Sequence, residues 1–169
     1  MENSRYRPTG KNYVHVNESR KLKIDKKYID SLKLLALEDS TGKCKMCLHN
    51  DIREHVHEML NIFPKGSYVR PHMHPFKTET QNIIEGKMLM VLFDDIGNIL
   101  DKFVMEKEGV FTFRLDKGIV HTNIPLSDVV VYEVTAGPFM GKDDSVFMQW
   151  APEPNDETGV REIMDRIMK

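Results

Sequence analysis

The stretch from Gly66 to Gly86 carries the residues best suited to chemistry. His72, His74 and Glu79 stand between two glycines in the pattern G-x5-H-x-H-x4-E-x6-G. Two histidines two apart on a β-strand share one face, because strand side chains alternate. Pro75 can end that strand and let the chain return, which brings Glu79 alongside. Two imidazoles and a carboxylate are the beginning of a coordination shell for a divalent transition metal. Downstream, the G-x2-H of Gly118–His121 follows another strand and a turn, so four N/O donors on three segments can face a common point. Three histidines and one carboxylate leave one or two coordination positions open, which suits substrate or ligand binding rather than a closed structural site. Iron, manganese, nickel, zinc and cobalt all fit such a set.

Side-chain parity nominates neighbours. Tyr68 and Arg70 share the parity of His72 and His74, and Arg70 could bind a carboxylate or phosphate in two-pronged fashion. Gln81 shares the parity of Glu79 and could hydrogen-bond a ligand from behind. Asn123 shares a face with His121 and so could line the pocket, which makes Tyr68, Arg70, Gln81 and Asn123 the candidate substrate-binding residues. Glu133 interrupts the apolar run Val129–Val134, and a carboxylate buried there is a candidate general base. Its ordinary alternative is an outward position or a pair with Arg114. His49, His55 and His57 read as exposed or satisfied histidines, with His49 able to reach a pocket rim. Cys44 and Cys47 form a C-x-x-C without a βαβ pattern or a second such pair, which favours two ordinary thiols over a redox pair or a zinc site.

The elements that must position these residues are mostly short strands. Val56–Phe63, Tyr68–His74, Thr80–Ile84, Lys87–Phe93, Ile99–Met105, Val110–Leu115, Ile119–Thr122 and Val129–Thr135 alternate or run apolar between turn signals. So many short strands predict a sandwich or barrel. A helix is predicted over Asp25–Glu38 from the spacing of Tyr28, Ile29, Leu32, Leu35 and Ala36. A second, amphipathic helix is predicted near the C-terminus, with Val160, Ile163, Met164, Ile167 and Met168 on one stripe and Thr158 as its N-cap. Residues 1–24 read as a flexible arm, 25–153 as the main domain and 154–169 as the C-terminal helix. The 169 residues carry 24 basic and 26 acidic side chains, a formal charge of −2 that argues against nucleic acid as a partner. No apolar run is long enough for a spanning helix and no signal peptide is visible, so a cytoplasmic protein away from membranes is expected.

The Gly66–Gly86 pattern resembles the first cupin signature at each fixed position, and Gly109–His121 resembles the second. The second departs from the pattern, with Asp116 in place of the usual proline and Pro125 in place of the closing asparagine. Tyr68–His74, Leu92–Gly97, Gly137–Phe139 and Trp150–Pro152 look like the WbuC family of cupin-fold metalloproteins, over roughly residues 25 to 153. The resemblance implies a mainly β cupin, that is, a jelly-roll barrel with an N-terminal helix and a C-terminal amphipathic helix. It implies that His72, His74, Glu79 and His121 bind one divalent metal. It also implies a role in surface-polysaccharide (O-antigen-type) biosynthesis, acting on or binding a sugar or nucleotide sugar, and a homodimer. Two other functions stand beside it: an iron-dependent dioxygenase of a small molecule, and a non-catalytic metabolite-binding cupin. Fold alone does not choose among them.

Overall fold

A computed structural model describes residues 6–9 and 13–169. Twelve strands occur among them: β1 (Tyr6–Pro8), β2 (Val14–Asn17), β3 (Cys44–Cys47), β4 (Val56–Phe63), β5 (His72–Met73), β6 (Glu79–Glu85), β7 (Lys87–Phe93), β8 (Ile99–Glu106), β9 (Thr112–Leu115), β10 (Val120–Pro125), β11 (Val129–Ala136) and β12 (Val146–Phe147). Helix α1 spans Lys26–Glu38 and helix α2 spans Glu157–Met168. The strands form a seven-stranded sheet ordered β1-β2-β3-β4-β11-β6-β9 and a five-stranded sheet ordered β12-β5-β10-β7-β8. Strands adjacent in sequence often lie in different sheets, as expected of a jelly roll.

Alternation explains the layers. β7 sends Met88 and Met90 into the space between the sheets and Leu89, Val91 and Phe93 outward against α2. β11 likewise sends Val129 and Val131 inward and Val130 outward beneath α1. Both strands are therefore apolar on two faces and read as continuous hydrophobic runs. Met88, Met90 and Met105 are fully buried between the sheets, where flexible thioethers fill uneven space. Helix α1 buries Ile29, Leu32 and Ala36 on the outer face of the larger sheet. Asp25 caps it by accepting from the Tyr28 N–H at 2.9 Å. Helix α2 lays Ile163, Met164 and Ile167 on the outer face of the smaller sheet, while Met168 at the end of its apolar stripe stays exposed. The β6–β7 turn requires Gly86, at φ +85°, because an added Cβ would meet the Asp128 carbonyl oxygen at 2.2 Å.

Several elements differ from the sequence reading. The expected arm, residues 1–24, lies partly outside the described residues. Within them β1 pairs antiparallel with β2, and β2 pairs parallel with β3, extending the larger sheet. Tyr68–Pro71 is not regular strand; only His72–Met73 pairs, to β10 and β12. β9 begins at Thr112, with Phe111 exposed, although Phe113 does pack inward with Leu115. Asp156, not Thr158, caps α2, accepting from the Gly159 N–H at 3.1 Å. Cys44 and Cys47 are both free thiols. Residues three apart on a strand face opposite ways, so Cys44 sits under α1 and Cys47 faces inward.

Candidate metal centre and its cavity

The inward face of the barrel gathers His72, His74 and His121 from two neighbouring strands of the smaller sheet. His72 is the cross-strand partner of His121, and His74 lies just beyond the end of β5. One ring nitrogen from each of the three lies within 4.8 Å of the others. Nδ1 of His72 lies 2.9 Å from the Arg70 carbonyl, and Nδ1 of His121 lies 3.0 Å from the Ile119 carbonyl. A carbonyl can only accept, so each Nδ1 carries hydrogen and each Nε2 keeps its lone pair when the ring is neutral. His74 Nδ1 donates in the same way to the Asp144 carbonyl at 2.8 Å.

Glu79 comes from the facing sheet, at the start of β6. Its Oε2 lies 2.8 Å from His74 Nε2 and 3.9 Å from His121 Nε2. Its Oε1 accepts from Gln81 Nε2, and Gln81 Oε1 accepts from Asn123 Nδ2 at 3.0 Å. Glu79 and Gln81 are 3% and 2% exposed, so this relay is buried and fixes the carboxylate from behind.

Electrostatics follow from that burial. Desolvation alone would raise the Glu79 pKa, but the His74 hydrogen bond and the nearby imidazoles hold it at about 2. Burial would lower His74, yet Glu79 outweighs it and the His74 pKa is raised. Burial, helped by neighbouring imidazoles, pushes His72 down to about 3. Burial also lowers His121, against the pull of Glu79. In the metal-free protein a proton on His74 thus joins Nε2 to Glu79, while the buried Nε2 of His121 has no hydrogen-bond partner. An orphaned lone pair and a proton where a cation could sit both fit a metal ion, so the donor set suits one.

A cavity of about 400 Å³ opens beside His74. Its walls are the inward faces of β2, β3, β4 and β11, which explains the alternate contributions Val14 and Val16, Lys45 and Cys47, His57 and Met59, and Glu133 and Thr135. Glu133 takes a hydrogen bond from Asn61 Nδ2 at 2.7 Å and faces Lys45 Nζ at 4.0 Å. Burial raises its pKa, Lys45 opposes that, and the Glu79 charge adds to it. The partner is Lys45 rather than Arg114, which is exposed on β9. His49 and His57 stack in the wall with ring centroids 4.0 Å apart, while His55 points to solvent.

The structure therefore brings together His72, His74, Glu79 and His121, with Gln81 and Asn123 behind them and Glu133 across the cavity. Tyr68 and Arg70 are placed elsewhere. The Tyr68 hydroxyl donates to the Pro152 carbonyl at 3.0 Å. Arg70 donates to the Ala151 and Met148 carbonyls and pairs with Glu153. Neither lines the cavity; both hold the segment leading to α2. Parity misplaced them because it assumes a regular strand, and Tyr68–Pro71 is not one. Sequence reasoning missed Lys45, Lys77, Asp144 and the cavity residues of β2. Their only sequence signal was a lysine in the otherwise apolar Cys44–Cys47 strand.

The comparisons with known proteins agree on the fold. A family described as a domain of unknown function (DUF6016) matches residues 24–105, a span that includes His72, His74 and Glu79 and ends before His121. No curated protein matches the sequence. The capsular polysaccharide assembling protein CapF of Staphylococcus aureus is 16% identical at a TM-score of 0.54, over 65% of this chain and 32% of its own. The salicylate 1,2-dioxygenase of Pseudoaminobacter salicylatoxidans, in a mutant form, is 10% identical at a TM-score of 0.55, over 68% of this chain and 35% of its own. A cupin superfamily protein of Desulfitobacterium hafniense is 16% identical at a TM-score of 0.46, over 56% of this chain and 76% of its own. This chain therefore spans about a third of the length of the first two. The fold is mainly β, with two sheets and two helices, and is shared with CapF and the salicylate dioxygenase. It carries a histidine triad that can hold a metal. Among the described residues no helix is long and apolar enough to cross a membrane.

Proposed function

We propose that this chain is a metal-dependent cupin whose cavity binds, and whose centre acts on, a sugar or the sugar moiety of a nucleotide sugar. The observation that carries the metal reading is the triad: each Nδ1 is tied to a backbone carbonyl, and the opposite nitrogens face one point beside Glu79. His72, His74, His121 and Glu79 would hold the ion, and when bound it would supply Lewis acidity toward a ligand oxygen. Glu133, across the cavity with a raised pKa, is the group placed to take or give a proton. Lys45 holds it in place and steadies its charged form.

The walls support a hydroxyl-rich ligand. Among the described residues, each lysine or arginine that lines the cavity already faces a carboxylate: Lys45 with Glu133, Lys77 with Asp144, and Arg7 with Glu18. A neutral polyol can exchange hydrogen bonds with such pairs without breaking one, whereas an anion must compete for a cation. The WbuC resemblance, and a protein of this fold named for capsular polysaccharide assembly, point toward surface polysaccharide. A cytoplasmic homodimer belongs to the same reading.

The test begins with metal analysis of protein purified without a nickel column. One equivalent of a divalent metal in the native chain, lost in His72→Ala and His121→Ala, is expected; undiminished metal in both variants would overturn the site. Free and nucleotide-linked sugars are then tested by thermal shift, with exchange of solvent deuterium into the sugar as the sign of catalysis. Binding without exchange in the metal-loaded protein marks a non-catalytic binding cupin. Bound iron with oxygen uptake on a small aromatic or keto acid, and no sugar response, marks a dioxygenase.

A further inference from the structure

Among the three histidines, His74 is set differently. His72 and His121 are each oriented by a carbonyl two residues earlier in their own segment, so local backbone fixes them. The Nδ1 of His74 instead donates to the carbonyl of Asp144, seventy positions downstream, with the Ser145 hydroxyl 3.3 Å from the same nitrogen. Asp144 ends a 3-10 turn, Gly141–Asp144, that has no buried residue of its own. That turn is held through the Asp144 side chain. One carboxylate oxygen accepts from the Met140 N–H at 3.1 Å, and the other pairs with Lys77 Nζ. The Lys77 and Asp144 side chains are only 9% and 11% exposed. Lys77 sits between His74 and Glu79 in sequence, within the connection that joins the two sheets. His74, Lys77, Asp144 and Ser145 all line the cavity.

We propose, on the basis of the metal reading above, that the Lys77–Asp144 ion pair is a positioning device for the metal ligand His74. Breaking a buried pair is costly, because removing one partner leaves the other charged and desolvated. With the pair made, the turn is anchored and the Asp144 carbonyl holds the His74 ring with Nε2 inward. With the pair broken, Asp144 moves to water and takes the carbonyl with it. His74 then loses the contact that sets its tautomer and direction, while His72 and His121 keep theirs. Because the pair forms part of the cavity wall, a cavity ligand that touches Lys77 or Asp144 also changes metal affinity, and by linkage the metal changes affinity for that ligand.

The test is metal affinity by chelator competition, using zinc and manganese as probes, on the full chain. Lys77→Met is expected to weaken binding about 10- to 100-fold, the usual effect of losing a group that orients a ligand, with the circular dichroism spectrum unchanged. Lys77→Arg, which keeps the pair, is expected to restore affinity to within about threefold. Should Lys77→Met not fold, Asp144→Asn carries the same expectation, since it keeps the carbonyl and removes the charge. Native affinity in Lys77→Met or Asp144→Asn, or equal loss in Lys77→Met and Lys77→Arg, overturns the proposal. A native chain that binds no metal, or His72→Ala that binds it undiminished, defeats the metal reading instead, so the two failures are separable.

Discussion

Gln81→Leu tests the relay behind Glu79. Leucine approximates the volume of glutamine, so the change removes hydrogen bonds with little change in packing. The native amide gives one hydrogen bond to an ionised, buried carboxylate and receives one from Asn123. A hydrogen bond to a charged group contributes about 1.5–3 kcal/mol, and a buried amide left without its partner costs about 1–3 kcal/mol. Asn123 Oδ1 already lacks a partner, so its amide has no second anchor inside the barrel. The gain from burying leucine offsets about 1 kcal/mol, which leaves a net loss of about 1.5–5 kcal/mol. Urea unfolding with a chelator present measures it on the metal-free chain. Metal affinity should fall about 10- to 100-fold, because the carboxylate loses the donor that orients it. Adding Asn123→Ala to Gln81→Leu should cost little more, since the two side chains act through one hydrogen bond. A Gln81→Leu protein within about 0.5 kcal/mol of native stability, and with native metal affinity, would refute the relay.

The metal-free protein should lose stability steadily on acidification. His72, at about 3, and His121 lie below the ordinary 6.5, so their contributions are full above that value and are lost as pH falls through their folded pKa values. Glu79, at about 2, adds a second loss below the ordinary carboxylate value of 4.5. His74 acts oppositely, because its pKa is raised: its contribution is full below 6.5 and fades as pH rises through the folded value. Urea unfolding between pH 2 and 8 in chelator checks this, and a flat profile from 6.5 to 4.5 would count against buried neutral imidazoles. Ile167→Ala, at a fully buried position of α2 on the smaller sheet, should cost about 2–5 kcal/mol and leave metal stoichiometry unchanged. Loss of metal in that variant would mean that α2 supports the site as well as the core.

Much of the fold was legible because its signals are local. The two-residue period of β4, β6 and β7, the turn at Gly86 and the apolar stripes of both helices depend on neighbours in sequence. Local pattern also placed His72, His74 and Glu79 together, since a strand, Pro75 and a return bring them close whatever surrounds them. His121 needed one further step, the expectation of a barrel, and its pairing with His72 in the smaller sheet supplies the contact. Gln81 and Asn123 were reached by parity because β6 and β10 are regular strands. Tyr68 and Arg70 were misplaced by the same rule because their segment is irregular.

What only the tertiary structure decided is what stands around the centre. Lys45 meets Glu133 because β3 and β11 flank β4 with their inward faces aligned. Asp144 reaches His74 across seventy residues, and β2 closes a cavity wall from within a segment whose polar composition suggested an arm. Sequence fixes which residues can face a common point, because alternation and turns act over a few positions. It does not fix which distant charges become partners, because burial and pairing depend on how the two sheets close. The three histidines that the fold gathers could thus be named from the chain alone, while the cavity, its paired charges and the remote anchor of His74 belong to the folded barrel.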